Sequence, residues 1–377
     1  MMSKALSCVL LSAVLSSALA EVSLNSNELL KQNYKVWQVA NPSPEARANI
    51  AKNPFGLVYE GAISKNEKGK VNLQSVSYYI GANKIAANLY LPANFNEKKK
   101  YKAIVVAHPN GGVKEQVAGL FAQNLAQFGY IALAFDAAYQ GASEGLPRNV
   151  DLPQNRVEDI RSGADFLLSL SFVDSENLGV LGICGGGGYT LKAAQSDKRF
   201  KAVATLSAFN TGLVRRESFL GSQKDSIQKR LKEASKARSD EKIKGVVAYT
   251  SEAPKKLSES ELAKISSDLY REGLVYYGDT HAHPNSSFAY TTSSLLDLMA
   301  FDATDRIELI NQPLLMIVGD KADTAYMSED AFKKAVGTKK KEYFVLKDTT
   351  HIQSYYKKDS VEAALNKLNE FFKENLR

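Results

Sequence analysis

The stretch Leu178-Gly179-Val180-Leu181-Gly182-Ile183-Cys184-Gly185-Gly186-Gly187-Gly188-Tyr189 decides how this chain is read. An apolar run long enough for a buried strand leads into a cysteine, and a glycine-rich turn then opens a helix near Tyr189. A reactive residue held at a sharp strand-to-helix turn needs small neighbours two positions away on each side, and Gly182 and Gly186 meet that need. The helix that follows aims its N-terminal amides and the positive end of its dipole at the sulfur, which favours thiolate. So many glycines also suggest a phosphate or dinucleotide turn. Their positions, 182, 185, 186, 187 and 188, do not give the G-x-G-x-x-G register, and the turn lies mid-chain instead of at the first strand–helix unit.

Outward from this turn, short β-rich runs alternate with helical patterns, which predicts an α/β fold: a mainly parallel, twisted sheet flanked by helices. Val76-Ser77-Tyr78-Tyr79-Ile80 and Ala86-Ala87-Asn88-Leu89-Tyr90-Leu91 form an opening antiparallel pair, and Ala103-Ile104-Val105-Val106-Ala107 begins the parallel series. Helical periodicity over 156–170 precedes the central strand; further strands follow at 202–206, 314–318 and 343–346, with a last helix over 360–375. Residues 207–306 break the rhythm with two charged helical patterns and a Tyr-, Ser- and Thr-rich segment, and read as a helical cap inserted into a domain spanning 71–377. Residues 21–70, with Trp37 and Pro42-Ser43-Pro44, read as an N-terminal appendage.

The first twenty residues are of another kind. Lys4 precedes an apolar run over 5–15, and Ala18-Leu19-Ala20 supplies small residues at a cleavage site, so a secretory signal is expected and the mature chain is periplasmic or secreted. Cleavage removes Cys8 and leaves Cys184 as the one cysteine, which excludes an intramolecular disulfide. A lone thiol in an oxidising compartment is exposed to oxidation, so its presence asks for a reason. No later run approaches the roughly 18–20 apolar residues of a membrane span. The net charge of +7 comes mostly from scattered lysines and argues against nucleic acid as a partner. His281 and His283 have only Asp279 near them at ligand spacing, so neither a metal nor another cofactor is expected.

A cysteine nucleophile needs a base, an acid and an oxyanion site. His351, in the loop after the last strand, is the histidine that fits the order nucleophile, acid, histidine. The acid belongs in Val318-Gly319-Asp320-Lys321-Ala322-Asp323-Thr324, where Asp323, further into the loop, is favoured over Asp320 for fixing the imidazole tautomer. Gly185 supplies one oxyanion amide, and the other comes from His108-Pro109-Asn110-Gly111-Gly112-Val113, with Gly112 or Val113 as candidates. His108 itself reads as a buried hydrogen-bonding residue. Tyr139, Tyr277 and His281 are candidate substrate contacts.

These pieces, with Phe135-Asp136-Ala137-Ala138-Tyr139-Gln140-Gly141 and Arg156-Val157-Glu158-Asp159-Ile160-Arg161, resemble the dienelactone-hydrolase-like branch of the α/β-hydrolase superfamily. The chain looks most like longer exported bacterial members, some similar to fungal polyketide transferases. That resemblance implies an α/β-hydrolase fold and a Cys-His-Asp triad, and the family's cysteine-activating glutamate has Glu115 as its one candidate here. The expected function is hydrolysis or acyl transfer on an ester, thioester or lactone of a small molecule through an acyl-thioester. A non-catalytic ligand-binding protein on the same fold and a redox-responsive thiol protein are the competing readings, and the oligomeric state is open.

Overall fold

The computed structural model describes residues 42–251 and 254–377; the expected signal segment and residues 21–41 of the expected appendage lie outside them. Eight strands form one sheet: β1 (Asn72–Ile80), β2 (Asn83–Leu91), β3 (Tyr101–Ala107), β4 (Ile131–Phe135), β5 (Val173–Ile183), β6 (Phe200–Leu206), β7 (Leu314–Gly319) and β8 (Lys341–Leu346). Their order is β1-β2-β4-β3-β5-β6-β7-β8, antiparallel at β1–β2 and β2–β4 and parallel elsewhere. This is the predicted α/β-hydrolase architecture, and it puts β5, with Cys184 after its last residue, in the interior of the sheet.

Strand alternation splits the core into two layers. Ile104 and Val106 face a cluster with Val117, Phe121, Leu368 and Phe372, from α2 (Val117–Gln127) and the C-terminal helix, while Ala103 and Val105 face one with Val157, Ile160 and Leu191. The second cluster is covered by α3 (Pro153–Ser169) and α4 (Gly185–Ser196). The C-terminal helix Lys358–Asn375 sits so close that a methyl on Gly179 would lie 2.8 Å from the Phe372 ring. Burying such a ring stabilises the fold by roughly 1.5–3 kcal/mol.

Between β6 and β7 the described residues contribute no strand to the sheet and fold mainly as helices, among them Thr211–Glu217, Ile227–Lys244, Asp268–Val275 and Leu295–Leu298. The 18-residue helix buries only Ala234 and Glu241, which explains its charged sequence. Helix α1 (Pro44–Ile50) in the N-terminal segment is tied to this region: Asn49 Nδ2 donates to the Asp279 and Ala282 carbonyls at 2.8 and 3.3 Å. No helix among the described residues is long and apolar enough to cross a membrane.

Candidate active site

Cys184 joins β5 to α4 with φ 54° and ψ −120°, a conformation that costs a non-glycine residue about 1–3 kcal/mol and is held by its surroundings. The Cys184 N–H donates to the Leu206 carbonyl at 2.9 Å, and its own carbonyl accepts from Gly187 and Phe209 at 2.8 and 2.9 Å. The flanking glycines are sterically required. A Cβ on Gly182 would lie 2.5 Å from the Gly186 carbonyl oxygen, and one on Gly186 would meet the Ala107 and His108 carbonyl oxygens at 2.5 and 2.6 Å.

The sulfur borders a cavity of about 610 Å³, largely apolar, walled by Leu269, Leu274, Phe288 and Ile352, with Arg215, Tyr270 and Tyr290 also lining it. The Arg215 guanidinium lies 4.7 Å from the Tyr290 ring centroid. Burial pushes the Cys184 pKa up; the Tyr355 hydroxyl, the backbone N–H groups of Gly185 and Asn110, and the Arg215 charge oppose it without cancelling it. At neutral pH the group rests as a thiol.

Both amides expected as the second oxyanion donor are occupied. The Gly112 N–H is taken by the Pro109 carbonyl at 3.1 Å and the Val113 N–H by Gln116 Oε1 at 3.0 Å, so neither is free for an oxyanion. Asn110, in the same loop, lines the cavity together with Cys184. Its side chain is anchored by Nδ2 donating to Thr211 Oγ1 at 2.9 Å. His108, behind this loop, is a buried structural residue: Nδ1 pairs with the Pro109 carbonyl at 2.7 Å and Nε2 accepts from the Ala137 N–H at 3.0 Å.

His351 is buried and its pKa is lowered to about 3 by that burial. Its Nε2 lies 2.9 Å from the Tyr355 hydroxyl, and its Nδ1 lies 2.6 Å from Thr324 Oγ1. Tyr355 lines the same cavity as Cys184. Neither expected carboxylate touches the ring. Asp323 Oδ2 accepts from Ser267 Oγ at 2.8 Å and from the Leu269 N–H at 3.1 Å, fastening the start of helix Asp268–Val275. Asp320 Oδ1 accepts from the Thr349 N–H at 3.1 Å and shapes the histidine loop from outside.

Glu115 is not at the sulfur either; it pairs with Lys114 Nζ at 2.5 Å, next to the Lys114–Asp136 pair at 2.8 Å, and burial followed by the Asp136 charge pushes it up to about 7. Of the expected substrate contacts, Tyr277 lines the cavity with its buried hydroxyl unpartnered. Tyr139 does not line it: at φ 69° it packs with the cluster on the α3–α4 side of the sheet. His281 also lies outside, stacked on Tyr276 at 4.2 Å between centroids, with Nδ1 2.8 Å from Thr280 Oγ1. Sequence reasoning missed Asn110, Thr324, Arg215 and Tyr355. Only the last had a readable signal, its place four residues after His351, where one helical turn brings two side chains together.

Comparison with known proteins agrees with this architecture. The dienelactone hydrolase family matches residues 85–212. Protein YcjY of Escherichia coli K12 is 36% identical over 295 residues, covering 78% of this chain and 94% of YcjY. The crystal structure of hypothetical protein PA2218 from Pseudomonas aeruginosa is similar with a TM-score of 0.74 and 31% identity, covering 83% of this chain and 96% of that one. Thiohydrolase aneE of Aspergillus aculeatus is 25% identical over 247 residues, 64% of this chain and 76% of aneE. With the sheet, the strand-to-helix turn and these relatives in agreement, the chain belongs to the dienelactone hydrolase family of α/β-hydrolases.

Proposed function

We propose that this protein is a cysteine-dependent hydrolase or acyl transferase acting on an ester, thioester or lactone of a small, largely apolar molecule. The observation that carries the reading is Cys184 itself: a non-glycine residue at φ 54° on a sharp strand-to-helix turn that borders the cavity. Thiolate attack on a carbonyl there would leave the developing oxyanion beside the Gly185 and Asn110 N–H groups, an arrangement that stabilises the transition state more than the substrate. The unpartnered Tyr277 hydroxyl is a third donor within the cavity. Collapse gives an acyl-thioester and frees the alcohol or thiol; water, activated by His351, or a second acceptor then takes the acyl group. The name of the thiohydrolase relative favours a thioester among the three bonds.

The segment before residue 21 supports export, so the reaction would take place in the periplasm or outside the cell. No cofactor enters the scheme. The test is a panel of short-chain aryl esters and acyl thioesters with wild type and Cys184→Ala. A fall in kcat/KM of about a thousandfold or more is expected, and equal rates would point instead to a ligand-binding protein.

A further inference from the structure

The cavity beside Cys184 carries charge of one sign. Its lining is mostly apolar, its charged side chains are Arg215 and Lys255, and no aspartate or glutamate lines it among the described residues. Lys255 is exposed and can be solvated, whereas Arg215 is half-buried and its Nε is buried without a hydrogen-bond partner. The adjacent Arg216 pairs with Glu217 at 3.3 Å. Arg215 forms no such pair among the described residues, and its guanidinium lies 4.7 Å from the centroid of the Tyr290 ring, which also lines the cavity. A cation withdrawn from water without a counter-ion is destabilising, and an aromatic face offsets only part of that.

The helix that carries Arg215 is anchored at both ends. Thr211 and Arg215 stand one turn apart on Thr211–Glu217, so they share a face. Thr211 Oγ1 accepts from Asn110 Nδ2 at 2.9 Å, and the Asn110 side chain lies against Gly185, the residue after the nucleophile. At the other end Arg230 donates to the Arg215 and Arg216 carbonyls at 2.6 and 2.5 Å. The face that bears the guanidinium is therefore held on the turn that presents Cys184.

We propose that Arg215 is a substrate-binding residue that sets specificity, and that the substrate is an anionic amphiphile. It is an acyl donor whose apolar chain packs on Leu269, Leu274, Phe288 and Ile352 and which carries one oxyacid anion, a carboxylate or a phosphate-type group, held by the guanidinium. The planar fork presents parallel N–H groups to two oxygens of either anion. Binding supplies the counter-ion that the free protein lacks. A neutral chain of the same length displaces water from the cavity and leaves the cation unpaired, and a site built around a polar group rejects the analogue without it. An arginine kept only for its stack on Tyr290 predicts no preference between the two.

This inference rests on the acyl chemistry proposed above, and turnover and binding are read separately so that the two can fail separately. Aryl hexanoate, the aryl monoester of adipic acid and the phosphonate-ended aryl ester of the same length are compared in wild type and Arg215→Met. In wild type kcat/KM for at least one anionic ester is expected to exceed that for the neutral ester by about 10–100-fold. In Arg215→Met the ratio should fall to one or below. For binding, hexanoic anilide and adipic monoanilide, which contain no ester, are titrated by calorimetry into Cys184→Ala with and without Arg215→Met. A similar preference for the anionic anilide is expected in the first and its loss in the second.

A wild-type ratio near one for both anions, or a preference that survives Arg215→Met, would overturn the proposal. If no ester is turned over while Cys184→Ala still prefers adipic monoanilide through Arg215, the anion site stands and the nucleophile reading falls. Should Arg215→Met fail to fold, Arg215→Gln, which removes the charge and keeps a polar side chain, replaces it in both arms with the same expected loss.

Discussion

Thr324 Oγ1 lies 2.6 Å from Nδ1 of His351, so a neutral hydroxyl occupies the place on the imidazole where a carboxylate was expected. The neighbouring Asp323 instead accepts through Oδ2 from Ser267 and Leu269, and its Oδ1 is buried without a hydrogen-bond partner. The two side chains therefore have separable effects. Thr324→Val should remove one hydrogen bond worth about 0.5–1.5 kcal/mol and lower kcat roughly tenfold or less. Asp323→Ala should loosen the start of helix Asp268–Val275 and act mainly through KM and thermal stability. Steady-state kinetics of both variants check this; a collapse of kcat in Asp323→Ala with KM unchanged would show that the carboxylate serves the imidazole.

Gly185 has no room for a side chain. A Cβ there would lie 2.2 Å from Asn110 Oδ1, so Gly185→Ala must push aside the side chain of Asn110, the residue proposed above to supply the second amide. Losing one oxyanion donor typically costs about 10²–10³ in kcat, and that range is expected here with substrate binding largely kept. Kinetics and a crystal structure of the variant would show whether the Asn110 backbone has moved.

All four histidines are held in environments that favour the neutral ring: burial lowers His108 and His351 to about 3 and His281 and His283 to about 4. A base with a depressed folded pKa takes up its proton first in the unfolded chain. Stability should therefore fall as pH drops through about 6.5, the unfolded value, and stop falling for this reason below about 3, with each histidine contributing at most about 1.4 kcal/mol per pH unit in between. Urea unfolding from pH 7.5 to 4 measures the slope, and His108→Gln should reduce it.

The fold was legible in the chain because its signals are local and repeated. Ala103–Ala107 and Leu178–Ile183 are continuous apolar runs that suit strands buried on both faces, and the helices between them keep a 3.6-residue period. The turn at Cys184 was legible for a steric reason, since only glycines fit two residues away. The partners of the site were harder to read because they depend on which way a loop faces. Gly111, at φ 72° against the Ser287 carbonyl, turns the 108–113 loop, and in that turn the Gly112 and Val113 amides are taken by Pro109 and Gln116. Asp323 and Thr324 are adjacent in sequence, and only the docking of helix Asp268–Val275 determines which of them meets the histidine. Tyr139 and His281 carry suitable chemistry but are turned into other packing, a fact that no spacing records.

The central claim is that the Cys184 sulfur takes up an acyl group from a substrate in the 610 Å³ cavity. Intact mass spectrometry after brief incubation with aryl esters and acyl thioesters, quenched in acid and mapped by peptide, tests it directly. The predicted result is one added acyl mass on the Cys184 peptide, labile to hydroxylamine and absent from Cys184→Ala. Turnover of the same substrates by Cys184→Ala at the wild-type rate, with no adduct on the native protein, would contradict it.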